Sequence, residues 1–201
     1  MAKRIFDIFF SIIGLFFFSP CFLLVSILIK VDSKGPVFFL QNRVGRNGVL
    51  FKIIKFRSMI TDQNSSSTIT TANDNRITTI GKIIRKLKID ELPELLNILI
   101  GNMSFVGPRP DVPGYADLLE GEDRLILKLK PGITSLASLK YINEEVILAS
   151  VEDPIKYNKE VIFPDKVKLN LNYYYNHNIW IDIKVIFATV FYILKKIFKI
   201  K

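Results

Sequence analysis

The chain has 201 residues, of which 49% are hydrophobic and 23% charged, with a formal net charge of +9. This length suits one domain with a substantial core, while the charged fraction is too high for a polytopic membrane protein. The single cysteine, Cys21, excludes an internal disulfide and favours a reducing compartment, and the single histidine, His177, excludes a multi-histidine metal site. The positive charge favours an anionic bilayer or a phosphate-rich substrate. We expect no nucleic-acid binding, because the basic residues are not interleaved with aromatic ones.

The first 34 residues contain an uncharged apolar run over residues 8–29. As one helix, this run would be about 33 Å long, which is enough to cross a bilayer. However, Ser19-Pro20 near its middle predicts a break, because proline removes a backbone hydrogen bond. Lysines lie on both sides of the run, so charge does not choose a crossing direction. We therefore expect a re-entrant helix over 1–34 that returns to the same face. A transmembrane helix and a signal peptide are the alternatives, the latter disfavoured by Pro20 directly before Cys21.

Residues 35–60 have a strand pattern. Two β-prone runs, at 37–40 and 49–53, flank a polar segment that contains Asn47-Gly48, a hairpin signal. The alternation around Lys55 predicts either a solvated strand face or a wall that faces phosphate. Residues 61–75 are rich in Ser, Thr and Asn, and they predict a surface loop that serves as a linker or a lid.

Residues 81–110 predict two helices separated by an acidic pair, Asp90-Glu91, and followed by the rigid turn around Pro108 and Pro110. The buried apolar faces of these helices are predicted at Ile83, Ile84 and Leu87 and at Leu92, Leu95, Leu96 and Leu99. One interpretation is that Asp90 is a helix N-cap and Glu91 an ordinary first-turn acid. The other is a carboxylate nucleophile held among cations, since carboxylates attack phosphoryl groups and form acyl phosphates. The pattern of residues leaves both open.

After Pro110, the sequence predicts short helical pieces at 112–119 and 124–129 and a turn at Pro131-Gly132. At the end of the chain, residues 179–201 form an apolar run with a basic terminus. Its uncharged centre has about ten residues, too few to span a bilayer, so we predict an interfacial amphipathic helix.

The motifs, taken together and in order, resemble those of the bacterial sugar transferases, the monotopic phosphoglycosyl transferases that start glycan assembly on a polyprenyl phosphate. The resemblance covers nearly the whole chain. It rests on KRIFD at 3–7, Ser19-Pro20, QNRVG at 41–45, FKIIKFRSM at 51–59, KIDELPELLN at 88–97, GNMSFVGPRP at 101–110 and KPGIT at 130–134.

The resemblance implies an α-rich α/β fold: a single compact membrane-associated domain at the cytoplasmic face of the bacterial inner membrane. The re-entrant helix would be followed by a catalytic domain over 35–201, in contact with inner-membrane phospholipids. The implied activity is transfer of a sugar 1-phosphate from a UDP-sugar to undecaprenyl phosphate with release of UMP.

The resemblance also implies a role for each site residue. Asp90 would be the nucleophile of a ping-pong mechanism and would hold Mg²⁺, while Glu91 positions the site or assists the metal. Phosphate oxygens would be held by Arg85, Arg109 and Lys55.

Because the sequence departs from the family pattern in two places, the resemblance does not predict which residues contact the sugar. Ser135, Leu136 and Ser138 replace the Gly, Trp and Gln common in the family, and Asn170 replaces an Asp. The identity of the sugar and the oligomeric state are not predicted. A non-enzymatic peripheral protein that binds anionic lipids, or a polyprenyl-phosphate hydrolase, are the alternative functions.

Overall fold

The computed structural model describes residues 2–60 and 76–198, which form an α-rich domain with two small sheets. The predicted lid or linker at 61–75 lies outside the described residues. The helices are α1 (Ala2–Phe17), α2 (Ser19–Asp32), α3 (Thr79–Lys86), α4 (Glu94–Ile100), α5 (Leu136–Lys140), α6 (Glu144–Ala149), α7 (Pro154–Tyr157), α8 (Phe163–Asn176) and α9 (Ile179–Phe198). The strands are β1 (Phe38–Val44), β2 (Leu50–Phe56), β3 (Ser104–Val106) and β4 (Gly132–Thr134).

The first sheet is the predicted hairpin. Strands β1 and β2 pair antiparallel from Phe38 opposite Phe56 to Val44 opposite Leu50. The connection uses Asn47 and Gly48, both at positive φ, which is the backbone conformation that Asn-Gly favours in such turns. Strand β1 continues to Val44, however, so the first three residues of the polar segment, 42–44, are paired backbone.

The second sheet, in which β3 pairs parallel with β4, was not predicted. Both strands have three residues, which is too short to show an alternating pattern. The two backbones come very close together: a Cβ added at Gly107 would lie 2.2 Å from the carbonyl oxygen of Lys130. This close approach explains why glycine follows β3.

The N-terminal helix is broken at Phe18, directly before Ser19 and Pro20. Helices α1 and α2 meet there at a bend of 59°. Pro20 lies in the first turn of α2, where its missing N–H leaves no helical bond unmade. Within the described residues, no helix is by itself both long and apolar enough for a bilayer, whereas this bent pair meets both conditions when counted together.

Both helices of the pair are attached to the rest of the domain. The Arg4 guanidinium donates to the carbonyl oxygens of Ile98 and Leu99 at the end of α4, at 2.5 and 2.8 Å. Buried Arg57 donates to carbonyl oxygens at the end of α2, including that of Ser33 at 2.7 Å. The faces turned away from the domain stay apolar and exposed, with Phe16, Phe17 and Val31 more than 70% accessible.

The core beneath the site lies between β2, α4 and β3. Ile53, Leu95, Ile98 and Met103 form one buried cluster there. Asn97 is fully buried in α4, and its side-chain amide makes two hydrogen bonds with the backbone of β2. Its Oδ1 accepts from Ile54 N, and its Nδ2 donates to the Lys52 carbonyl. Strand β2 is thereby held at a fixed position relative to α4.

The hydrophobic faces predicted for α3 and α4 need correction. Ile83, expected on the buried face of α3, is 51% exposed, while Ile84 is buried. In α4 the most buried apolar residue is Ile98, which the predicted face omitted. Because each helix has only seven or eight residues, tertiary contacts decide which side is covered.

Candidate active site

The acidic pair lies in a tight connection between α3 and α4. Helix α3 ends at Lys86, and Lys88 adopts a left-handed conformation with φ of 58°. A single 3-10 turn, Ile89–Glu91, follows, and Pro93 then precedes α4. No side-chain hydrogen bond caps α4. The interpretation of Asp90 as a helix N-cap is therefore wrong.

Asp90 has a buried, unsatisfied oxygen. The residue is 7% exposed, and its Oδ1 has no hydrogen-bond partner. Burial, followed by the adjacent Glu91 charge, raises the pKa of Asp90, while Lys55, Lys88 and Arg85 oppose the increase. A buried carboxylate oxygen without a partner is costly, and native structures tend to keep one only where it is used.

Glu91 is held by two cations. Lys55 Nζ lies 3.0 Å from its Oε1, and Arg109 Nη2 lies 2.5 Å from the same oxygen. Although burial acts to raise the pKa of Glu91, the Arg109 and Lys55 charges lower it well below its usual range. The two neighbouring carboxylates thus have pKa values shifted in opposite directions, an arrangement typical of sites with acid–base or nucleophilic roles.

Lys55 connects the acidic pair with a third carboxylate, Glu94, at the start of α4. Its Nζ lies 3.1 Å from Glu94 Oε1 as well as 3.0 Å from Glu91 Oε1. The Lys55 side chain is only 15% exposed. Of the two predictions for Lys55, the solvated strand face is wrong, and the structure places this lysine beside the acidic pair.

The turn after β3 brings Arg109 to the site. Pro108 and the buried Pro110 flank it, and Arg43 Nη1 donates to the Pro110 carbonyl at 3.2 Å. Glu91, together with Glu94, raises the pKa of Arg109 even though burial acts against it. Arg109 therefore stays a cation, with 41% of its side chain accessible for an incoming anion.

Arg85 lies close enough to Asp90 to act on its charge, whereas Ser19 and Pro20 lie at the helix break. Arg85 lies on α3, near enough for its charge to favour the ionised form of Asp90, and contacts Met59 Sδ at 3.9 Å. Ser19 donates to the Phe16 carbonyl at the bend between α1 and α2. Its role, together with that of Pro20, is local to the bend.

Two residues of the site were missed by sequence analysis. Glu94 is 1% exposed, and Arg43 Nε is buried without a partner. Both line a small cavity beside the acidic pair, together with Ile53, Lys55, Arg109 and Pro110. Glu94 had a signal, since it lies three residues after Glu91, a spacing that places two side chains on one helical face. Arg43 lies in the QNRVG motif at 41–45, but nothing in that segment indicates which residues it meets in the fold.

The chain's donor atoms fit a magnesium ion at Asp90. Its Oδ1 is buried and unpaired, and Mg²⁺ prefers carboxylate oxygens. In the described part of the chain, no group of three or more His, Cys, Asp or Glu side chains could hold a metal by itself. A site with one or two protein carboxylates suits Mg²⁺ that is completed by substrate phosphates and water.

Comparison with known proteins gives a consistent result. The family model described as bacterial sugar transferase matches residues 1–196. The chain is 40% identical to UDP-glucose:undecaprenyl-phosphate glucose-1-phosphate transferase of Klebsiella pneumoniae, over 94% of this chain and 39% of that protein. It is 37% identical to UDP-N-acetylgalactosamine-undecaprenyl-phosphate N-acetylgalactosaminephosphotransferase of Aeromonas hydrophila, over 94% and 42%.

A further relative has nearly the same length. The exopolysaccharide production protein PSS of Rhizobium leguminosarum bv. phaseoli is 40% identical over 94% of both chains. The chain thus spans about two fifths of the two named transferases and nearly the whole of PSS.

Proposed function

Because this chain belongs to the bacterial sugar transferase family, we propose that it is an enzyme that transfers a sugar 1-phosphate from a UDP-sugar to undecaprenyl phosphate and releases UMP. Two of its relatives are named for this reaction, with glucose and with N-acetylgalactosamine. The observation that carries the proposal is the Asp90 carboxylate, buried with one unpartnered oxygen beside a neighbour that two cations hold.

Asp90 acts as the nucleophile in the first step. A carboxylate oxygen of Asp90 bonds to the β-phosphorus of the UDP-sugar, while the bond from that phosphorus to the bridging oxygen breaks. The electron pair leaves with UMP, and the phosphosugar remains on Asp90 as an acyl phosphate. In the second step, an oxygen of the lipid phosphate bonds to the same phosphorus, and Asp90 leaves as a free carboxylate.

The surrounding cations stabilise the charge that develops on the phosphate oxygens. Arg109 presents a planar fork of donors at an accessible position, while Lys55 and Arg85 add positive charge from β2 and α3. Glu91 holds Lys55 and Arg109 in place by its two ion pairs. A magnesium ion held by Asp90 would neutralise part of the diphosphate charge.

The site also has to meet a lipid, and we place the bent helix pair in one leaflet of the inner membrane at its cytoplasmic face. Helix α1 has 16 residues and α2 has 14, so each is about 24 Å long or less and shorter than the hydrocarbon core. Arg4 fastens α1 to the end of α4, the helix that follows Asp90. On α9, exposed Trp180, Phe187 and Phe191 would contact phospholipids.

The test of the activity is a UMP-release assay with a panel of UDP-sugars, with and without undecaprenyl phosphate. Wild-type protein should release no more than one UMP per site without the lipid, and turn over with it, as a covalent intermediate requires. Asp90→Asn should abolish release, whereas Asp123→Asn, at an exposed position, serves as the matched control. Full activity of Asp90→Asn, or recovery of the sugar phosphate in water, contradicts the proposal.

The membrane arrangement has a separate test. In a Cys21→Ser background, Ala2→Cys and Lys34→Cys place single thiols at exposed positions near the two ends of the helix pair. A reagent that does not cross the membrane should label both from the same side of sealed vesicles. Labelling from opposite sides would mean that the pair spans the bilayer.

A further inference from the structure

The cavity beside the acidic pair contains a carboxylate that the reaction described above does not use. The cavity is lined by Arg43, Lys55 and Arg109, which are cations, and by Glu94. Glu94 is 1% exposed, and its Oε1 has no hydrogen-bond partner, although Lys55 Nζ lies 3.1 Å away. Arg43 Nε is also buried and unpartnered. Two residues of opposite charge, each with an unsatisfied buried atom, therefore line one space that has room for about one water molecule.

Lys55 is the contact through which this space is coupled to the acidic pair. Its ammonium group is shared between Glu91 and Glu94, at 3.0 and 3.1 Å. A phosphate group at the open side of the cavity would attract Lys55 and Arg109 strongly. Glu91 would keep part of both contacts through its own ion pairs, whereas Glu94 would lose its nearest cation and face a new anion.

We propose that Glu94 binds the substrate in its neutral form. When a phosphate group binds at the open side of the cavity, beside the accessible Arg109, Lys55 turns to it, and the Glu94 carboxylate takes one proton from the solvent. The resulting carboxyl O–H donates a hydrogen bond to a phosphate oxygen. Glu94 is thus a further substrate-binding residue, and phosphate binding is accompanied by the uptake of one proton. The inference rests on the proposed function only for the identity of the phosphate compound.

The charged surroundings of Glu94 support this assignment. Lys55 on β2, Arg109 after β3 and Glu91 before α4 act directly on it, and Arg43 on β1 interacts with it across the cavity. Burial is the largest effect and raises the pKa of Glu94 to about 7 even with Lys55 in contact. Loss of that contact would raise the pKa further, since an opposite charge nearby favours the ionised form.

The experiment measures binding of UDP, which carries a diphosphate and no sugar to transfer, by calorimetry in a constant excess of Mg²⁺. At pH 8, in two buffers with different enthalpies of ionisation, wild-type protein should take up about one proton per UDP bound. Above pH 7.5 the phosphates of UDP are fully ionised. UDP binding should therefore weaken about tenfold per pH unit up to pH 9.

Two glutamine variants complete the test. Glu94→Gln should bind UDP without proton uptake and without this pH dependence, because a neutral amide already replaces the carboxyl group. Glu144→Gln removes a carboxylate that is likewise paired with a lysine, Lys166 at 2.6 Å, and should behave as wild type. Zero proton uptake in wild type, an unchanged slope in Glu94→Gln, or no binding of UDP overturns the inference.

The UMP-release assay on the same preparations separates the two proposals. If proton-linked UDP binding occurs and transfer does not, the proposed function fails and the role of Glu94 stands. If transfer occurs without proton uptake on binding, only the role of Glu94 fails.

Discussion

Glu94→Gln should make the protein more stable at alkaline pH. The Glu94 pKa is raised from 4.5 to about 7 by burial. A carboxyl group with a raised pKa contributes its full stability below pH 4.5, and this contribution is lost as the pH rises through about 7. Each pKa unit corresponds to about 1.36 kcal/mol. The charge on Glu94 should therefore cost about 3 kcal/mol of unfolding free energy above pH 8. No allowance for solvent screening is needed, because the residue is 1% exposed.

Glutamine is neutral throughout and does not carry this cost. Relative to wild type, the unfolding free energy of Glu94→Gln should rise by about 2 to 3 kcal/mol between pH 5 and pH 8.5. For a chain of 201 residues this is a gain of about 6 °C in Tm. Asp111, whose pKa burial raises to about 6, titrates in both proteins and does not affect the difference.

The measurement is thermal unfolding of the detergent-solubilised proteins, followed by circular dichroism at several pH values. Glu160→Gln, at an exposed position, is the matched control and should follow wild type at every pH. Parallel curves for Glu94→Gln and wild type would refute the reasoning, since they would mean that the folded protein does not hold a charged Glu94 away from water.

Three other changes have defined outcomes. Arg4→Met removes the donors to two carbonyl oxygens at the end of α4. Thermal unfolding should show that the free energy of unfolding falls by about 2 kcal/mol. An unchanged Tm would mean that this contact does not hold α1. Gly107→Ala would place a Cβ 2.2 Å from the Lys130 carbonyl oxygen, so we expect little folded protein on size-exclusion chromatography. In Gly114→Ala the new Cβ meets nothing within 4 Å. The free energy of unfolding of this control should fall by only about 1 kcal/mol, because of the positive φ at this position. EDTA should abolish UMP release and added Mg²⁺ should restore it, because Asp90 offers one oxygen to a metal; release that persists in EDTA would contradict a metal role.

Much of the local structure could be predicted because its signals are short-range. Asn47-Gly48 predicted the hairpin, and Ser19-Pro20 predicted a break that the structure places at Phe18. Both depend on backbone preferences of the residues themselves. The parallel pairing of β3 with β4 could not be predicted, since it joins segments 28 residues apart whose three-residue strands have no period.

The candidate site was predicted in part for a similar reason. Asp90, Glu91 and Arg109 were recognised from ordered motifs, and the structure brings Glu91 and Arg109 into contact. The structural role of Asp7, in contrast, depends on residues that are far from it in the sequence. Asp7 is buried in α1 and accepts hydrogen bonds from Ser104 Oγ and Phe105 N at the start of β3. No pattern within residues 1–34 indicates those partners.

Several features that reduce stability lie at or near the acidic pair. Asp90 and Glu94 each bury an oxygen without a hydrogen bond, Arg43 buries a donor without one, and Lys88 holds a left-handed backbone conformation. Each of these features costs free energy by itself, and a core of apolar side chains would avoid all of them. Natural sequences are expected to break local rules mainly where function requires it. Among the described residues, three of the five buried side-chain atoms without a partner belong to Asp90, Glu94 and Arg43, and the other two belong to Ser11 and Arg57. The grouping of three such atoms at or near the acidic pair is an argument for the site that does not depend on the motifs. The stability gained by Glu94→Gln measures part of the cost of keeping the site.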